Sequence, residues 1–153
     1  DGAVGLKLHP VAQRFALDDA ACVAAVADAT GRGWPVLVHA GFGARPLAAA
    51  LATLTDAVPG ARLILAHGAR GDARAVAQLA RERGLWFDTS LAAWPDLVAL
   101  PPERVLFGAD RPYGEHATAR QLVALAARVA GWTPAQVEGV LWGNAHALLG
   151  LAP

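Results

Sequence analysis

Five short apolar runs, each closed by a polar or titratable residue, constrain this chain more than any other feature. They are Val4–His9, Pro35–His39, Arg62–His67, Leu85–Thr89 and Val105–Asp110. Each has strand length, and most are apolar without alternation, the pattern of strands buried on both faces in a parallel sheet covered by helices. Helical patterns fill most of the gaps. Asp18 or Asp19 can cap a helix over Ala20–Thr30, stopped by Gly31 and Gly33. Pro46 opens Leu47–Ala57, which ends at Pro59-Gly60, and Asp72 can cap Ala73–Arg83 with Gly84 at its stop. One helical turn fits near Trp94–Leu100. Two helices then follow, one over roughly Glu115–Ala130 and one opened by Thr133-Pro134, with Gln136 completing a capping box, and closed near Gly150. The order β-α-β-α-β-α-β-(α)-β-α-α predicts an α/β fold with a parallel sheet. No linker, repeat or low-complexity tract divides residues 1–153, so a single domain is expected.

Composition excludes several classes. Hydrophobic residues make up 55% and charged residues 17% of the 153, which is not the make-up of a disordered chain. Thirteen Lys and Arg balance thirteen Asp and Glu, leaving no basic footprint for nucleic acid or an anionic membrane. The lone Cys22 excludes an internal disulfide and a multi-cysteine zinc site, and reads as a small buried apolar residue. No apolar run approaches the ~20 residues of a membrane span, and no charged-then-apolar leader opens the chain. A cytoplasmic location is expected. Because residue 1 is Asp rather than Met, translation is expected to start further upstream.

The strands deliver their chemistry at one end. Lys7 and His9 come late in the first run, His39 closes the second and His67 the third, Asp88 and Thr89 the fourth, and Asp110 the fifth. Carboxyl-terminal strand ends form the rim on which barrel enzymes and open α/β enzymes build their sites. A histidine at one strand end is commonly a hydrogen-bonded structural residue. Two imidazoles and a carboxylate on one rim instead suit a divalent metal, since Zn²⁺ takes N and O ligands at about 2.0–2.2 Å. Twenty-eight residues separate His39 from His67 and forty-three separate His67 from Asp110, which fits ligands on separate strands.

Taken in order, Gly5-Leu6-Lys7-Leu8-His9-Pro10, Val38-His39-Ala40-Gly41, Leu65-Ala66-His67-Gly68, Phe87-Asp88-Thr89-Ser90, Phe107-Gly108-Ala109-Asp110-Arg111-Pro112 and Trp142-Gly143-Asn144-Ala145 with Leu148-Leu149-Gly150 resemble the amidohydrolase-related (amidohydrolase 2) branch of the metal-dependent hydrolases. That branch also contains decarboxylases of aromatic and muconate-like acids. The resemblance covers essentially the whole chain and implies a TIM (β/α)8 barrel, of which the five runs would be strands four to eight. A barrel of about 250 residues then leaves roughly 100 unaccounted for. The His-x-His pair that family members carry on strand one occurs nowhere in this sequence.

By the same resemblance, His39 is the strand-five metal ligand. Asp110 is the strand-eight carboxylate that binds the metal and handles the proton of its water, and His67 is the strand-six histidine that polarises water or substrate. Lys7, where some relatives use a carbamylated lysine, is read as structural or substrate-facing, with one metal rather than two. The implied cofactor is a divalent metal, Zn²⁺ by preference, which lowers the pKa of bound water toward about 7. The implied activity is hydrolysis of an amide or lactone, or decarboxylation, of a small carboxylated compound. Arg45, Arg70 and Arg111 follow strand ends and suit a substrate carboxylate, with Arg70 and Arg111 preferred. Loop arginines are also commonly just solvated. Trp94 serves either as a pocket wall or as packing. His116 and His146 are read as structural or solvated, and Asp88 as bonding rim backbone groups.

The isolated chain is expected to bind metal weakly and to show little activity. Unpaired sheet edges would allow homo-oligomers. The competing reading is a non-enzymatic half-barrel that closes on a second copy, or an open flavodoxin-like sheet.

Overall fold

The strand cores are shorter than the apolar runs. In the computed structural model, which describes residues 2–43 and 46–151, they are β1 (Leu6–Leu8), β2 (Val36–Val38), β3 (Leu63–Leu65), β4 (Trp86–Asp88) and β5 (Val105–Leu106). All pair in parallel, in the sequential order β1-β2-β3-β4-β5. A flavodoxin-like sheet would place strands on both sides of the first one. The observed order instead matches consecutive staves of a barrel, and the open-sheet alternative is set aside.

Eight helices are described: α1 (Pro10–Gln13), α2 (Ala20–Gly31), α3 (Ala48–Ala57), α4 (Ala73–Arg83), α5 (Trp94–Ala99), α6 (His116–Ala130), α7 (Pro134–Glu138) and α8 (Asn144–Leu149). Strand register divides the sheet into two chemistries, because successive side chains point to opposite faces. One row runs Leu8, Val38, Leu65, Phe87, Val105, all buried. It forms a single core with Val26 of α2, Leu51 and Leu54 of α3, Val76 of α4 and Val123 of α6. The alternate row runs Lys7, Leu37, Ile64, Trp86. Lys7 is exposed and the other three are half-buried, so this face carries no helix layer among the described residues.

Several expected local features take another form. Asp19 and Asp72 stand at the N-caps of α2 and α4, but neither side chain caps its own helix. Asp19 accepts the Ala16 amide at 2.7 Å, and Asp72 accepts the Leu47 amide at 2.7 Å, tying the start of α3 to the start of α4. The Thr133–Gln136 capping box is present. The single helix expected after it is interrupted by a π-helical turn at Gly139–Gly143 before α8 begins. There Asn144 donates both amide hydrogens, to the Pro102 and Val105 carbonyls at 2.8 and 2.7 Å, and so holds the last strand. Asn144→Ala is expected to cost about 2–4 kcal/mol, because two part-buried carbonyls lose their donor. Urea unfolding checks this, and a loss below about 0.5 kcal/mol would contradict it. Cys22 is buried in α2, as its neighbours predict.

Candidate active site

His39 follows β2 directly and shares the alternation of Leu37, so its ring lies over the face that no helix covers. His67 would not join it if β3 ran on, because positions 63, 65 and 67 alternate toward the helices. The chain instead leaves β3 through a left-handed turn, with His67 at φ 62°, Gly68 at φ 61° and Ala69 at φ 50°. Positive φ in non-glycine residues costs of order 1–3 kcal/mol each and persists only where surrounding contacts impose it. Here the turn swings the imidazole back to His39, with His67 Nε2 at 3.2 Å from His39 Nδ1.

Both rings are buried. His67 Nδ1 lies 2.8 Å from the Ser90 carbonyl oxygen, to which it donates, and 3.2 Å from the Ser90 hydroxyl. The His67 amide donates to Asp88 Oδ1 at 3.1 Å, and the Ser90 amide donates to the same oxygen at 2.9 Å. The Ser90 hydroxyl also donates to Asp88 Oδ1 in a close contact. Asp88 does bond rim backbone groups, as the sequence suggests. Gly41 leaves room for the pair, since a Cβ there would stand 2.8–3.0 Å from His67 side-chain carbons.

His9 stacks on His39 with centroids 3.8 Å apart and planes 12° from parallel, while its Nδ1 accepts the Ala12 amide at the start of α1. Burial, followed by the charge of His9, holds the His39 pKa below the ordinary imidazole value, with smaller contributions in the same direction from His67 and Lys7. The Phe42 carbonyl, 3.5 Å from His39 Nε2, opposes that shift only in part. His39 is therefore neutral at pH 7, with a basic nitrogen to offer. The Phe42 ring meets the His67 ring edge-on at 5.6 Å and lies under the Arg70 guanidinium at 4.6 Å. Arg70 is exposed and donates to the Leu91 carbonyl at 2.8 Å.

The remaining expected residues stand apart from this pair. Asp110 is exposed just beyond β5 at φ 57°, and its carbonyl accepts the Tyr113 and Gly114 amides at 2.8 and 3.0 Å. Arg111 is exposed beside it, and Trp94 is 45% exposed at the start of α5. Arg45 lies outside the described residues. His116 is exposed at the start of α6, and His146 Nδ1 is buried without a partner among the described residues. Roles for His9, Ser90 and Phe42 do not follow from local pattern. Their contacts, Ser90 with His67, Phe42 with His67 and His9 with His39, bridge residues 23 or more positions apart, and only the tertiary fold creates them.

The donor set can be tested against a metal. Among the described residues no group of three or more His, Cys, Asp or Glu side chains is placed to hold an ion. His39 and His67 make a hydrogen-bonded pair, and His9, though stacked on His39, does not complete an ion site with them. The described residues therefore do not by themselves fit a complete metal shell.

An amidohydrolase family model, Amidohydro_2, matches residues 1–151. The chain belongs to the amidohydrolase family. No curated protein matches it. Among solved structures, this amidohydrolase chain is similar to the apo form of Metarhizium anisopliae IDCase at 18% identity and TM-score 0.69, covering 97% of this chain and 57% of that one. It is also similar to a dihydroxybenzoic acid decarboxylase from Polaromonas sp. JS666, a structure with bound manganese and the inhibitor 2-nitroresorcinol. That likeness is at 15% identity and TM-score 0.69, covering 90% and 56% of the two chains. An uncharacterized TIM-barrel protein from Bordetella bronchiseptica matches at 18% identity and TM-score 0.69, covering 90% and 53%. The chain thus spans a little over half the length of these neighbours, and its five βα units form a partial TIM barrel.

Proposed function

We propose that this chain contributes the His39–His67 half of an active-site rim to a metal-dependent enzyme. That enzyme would hydrolyse an amide or lactone, or decarboxylate, a small carboxylated compound. The contact between His67 Nε2 and His39 Nδ1 carries the reading, because it brings two buried imidazoles together at the carboxyl ends of neighbouring strands. An imidazole so placed can take a proton from a reacting group and return it, the role proposed for His67. Arg70, steadied by Leu91 and Phe42, and Arg111 are the proposed partners of the substrate carboxylate. His39 and Asp110 are the proposed metal donors of this chain, with Zn²⁺ as the candidate ion and further donors required from outside the described residues. We place the enzyme in the cytoplasm. No helix among the described residues is long and apolar enough to cross a membrane.

The test has two arms. Zn²⁺ titrated into this chain by calorimetry is expected to show no submicromolar site, while the complete product of the reading frame is expected to lose activity to a chelator and regain it with metal. Submicromolar binding by the chain that disappears in both His39→Ala and Asp110→Ala would contradict the need for outside donors. Full activity after chelation would contradict the metal-dependent reading.

The sheet suggests a second proposal. β1 and β5 each pair with only one neighbour among the described residues, and open edges template further pairing. We expect this chain alone to self-associate, with its mass by light scattering rising with concentration. A constant monomer mass up to about 100 times the lowest concentration tested would contradict that expectation.

A further inference from the structure

The Asp88 carboxylate oxygen Oδ1 gathers three donors from two neighbouring turns, the amides of His67 and Ser90 and the Ser90 hydroxyl. From these bonds we infer that Asp88 is a positioning residue that sets which ring nitrogens of the His67–His39 pair carry protons. The two amide bonds lock the Ser90 carbonyl against His67 Nδ1 at 2.8 Å. A carbonyl only accepts, so Nδ1 must hold a hydrogen. Because the Ser90 hydroxyl is committed to Asp88 as a donor, it too offers His67 Nδ1 only lone pairs across 3.2 Å. In the neutral His67 ring Nε2 is then bare and accepts from His39 Nδ1. The proton of neutral His39 is thereby drawn to Nδ1, where it makes the 3.2 Å bond to His67, rather than to Nε2, where the Phe42 carbonyl stands farther off at 3.5 Å. One carboxylate thus orders a line of hydrogen bonds from β4 to the end of β2, although its own bonds go to the His67 and Ser90 amides and the Ser90 hydroxyl and not to a ring nitrogen.

Nitrogen-15 NMR of histidine-labelled protein reads this directly, through long-range proton–nitrogen correlations at a pH where both rings are neutral. In the wild-type chain His67 and His39 are both expected as the Nδ1–H form. Asp88→Ala is expected to move more than half of the folded His67 population to the Nε2–H form and to reverse His39 with it. Asp88→Asn keeps an acceptor oxygen in place and is expected to preserve the wild-type pattern. Asp88→Glu displaces that oxygen and is expected to lose it. A merely structural Asp88 would lower the melting temperature of its variants without moving the tautomers.

Nε2–H His67 in the wild type, or unchanged tautomers in folded Asp88→Ala, would overturn the inference. Should Asp88→Ala not fold, identical tautomers in Asp88→Asn and Asp88→Glu would overturn it. The inference rests on the reading of His67 as the proton-carrying residue, but the spectrum needs no turnover. Correct tautomers in an enzyme without activity would therefore count against the functional reading alone.

Discussion

His67→Ala in the complete product of the reading frame is expected to lower kcat by about 10²- to 10⁴-fold, the range for removal of a positioned acid–base group. The substitution deletes the ring that faces His39 and keeps Asp88, Ser90 and the arginines in place. KM is therefore expected to change by less than about 10-fold, because substrate carboxylate binding is assigned to other residues. Stability is expected to fall by about 2–4 kcal/mol, because the Ser90 carbonyl and His39 Nδ1 lose their buried partner and the missing ring leaves a cavity, while alanine still has to adopt positive φ. Steady-state kinetics checks the prediction. A fall in kcat of less than about 10-fold would remove His67 from the chemistry.

Gly114→Ala is expected to be among the most destabilising single methyl additions, at more than about 3 kcal/mol, beyond the usual cost of overpacking. A Cβ at position 114 would run into the Ala109 carbonyl oxygen, and it would also sit 3.0 Å from Leu91 Cδ2. Backbone cannot step aside as a flexible side chain does. The turn that must give way is the one in which the Asp110 carbonyl accepts the Tyr113 and Gly114 amides, so the position of Asp110 should shift with it. Denaturant unfolding measures the cost, and a loss under about 1 kcal/mol would show that the turn is looser than its contacts imply. Gly41→Ala is a contrasting case, since its Cβ would press on the His67 side chain rather than on backbone.

The sheet was legible in the sequence because parallel strands advertise themselves as continuous apolar runs, and α4 was legible because Asp72 and Gly84 bracket it at the observed bounds. Placement of His39 followed from its position at the end of such a run. Other parts were hidden for physical reasons. Helix α1 is four residues long and too short to show a period. Asp19 and Asp72 hold residues suited to capping, but a neighbouring amide competes for each carboxylate, and the competitor of Asp72 comes from 25 positions away. Apolar patterning cannot distinguish Asn144 as a clamp from Asn144 as an ordinary helix residue, because its two acceptors lie 42 and 39 positions earlier. The turn at His67 was hidden most fully. Its sequence, Ala66-His67-Gly68-Ala69, holds one glycine, yet the positive φ values extend to both of that glycine's neighbours.

That turn gives position 67 an unusual profile in any mutational library. Backbone conformation there favours glycine, asparagine and aspartate and penalises β-branched side chains. A screen for folded protein should accordingly enrich small or Asx residues at this site, and a screen for catalytic output on the same library should retain histidine. The two selections would diverge at a single codon, which makes position 67 a place where the demands of persistence and of chemistry can be scored separately.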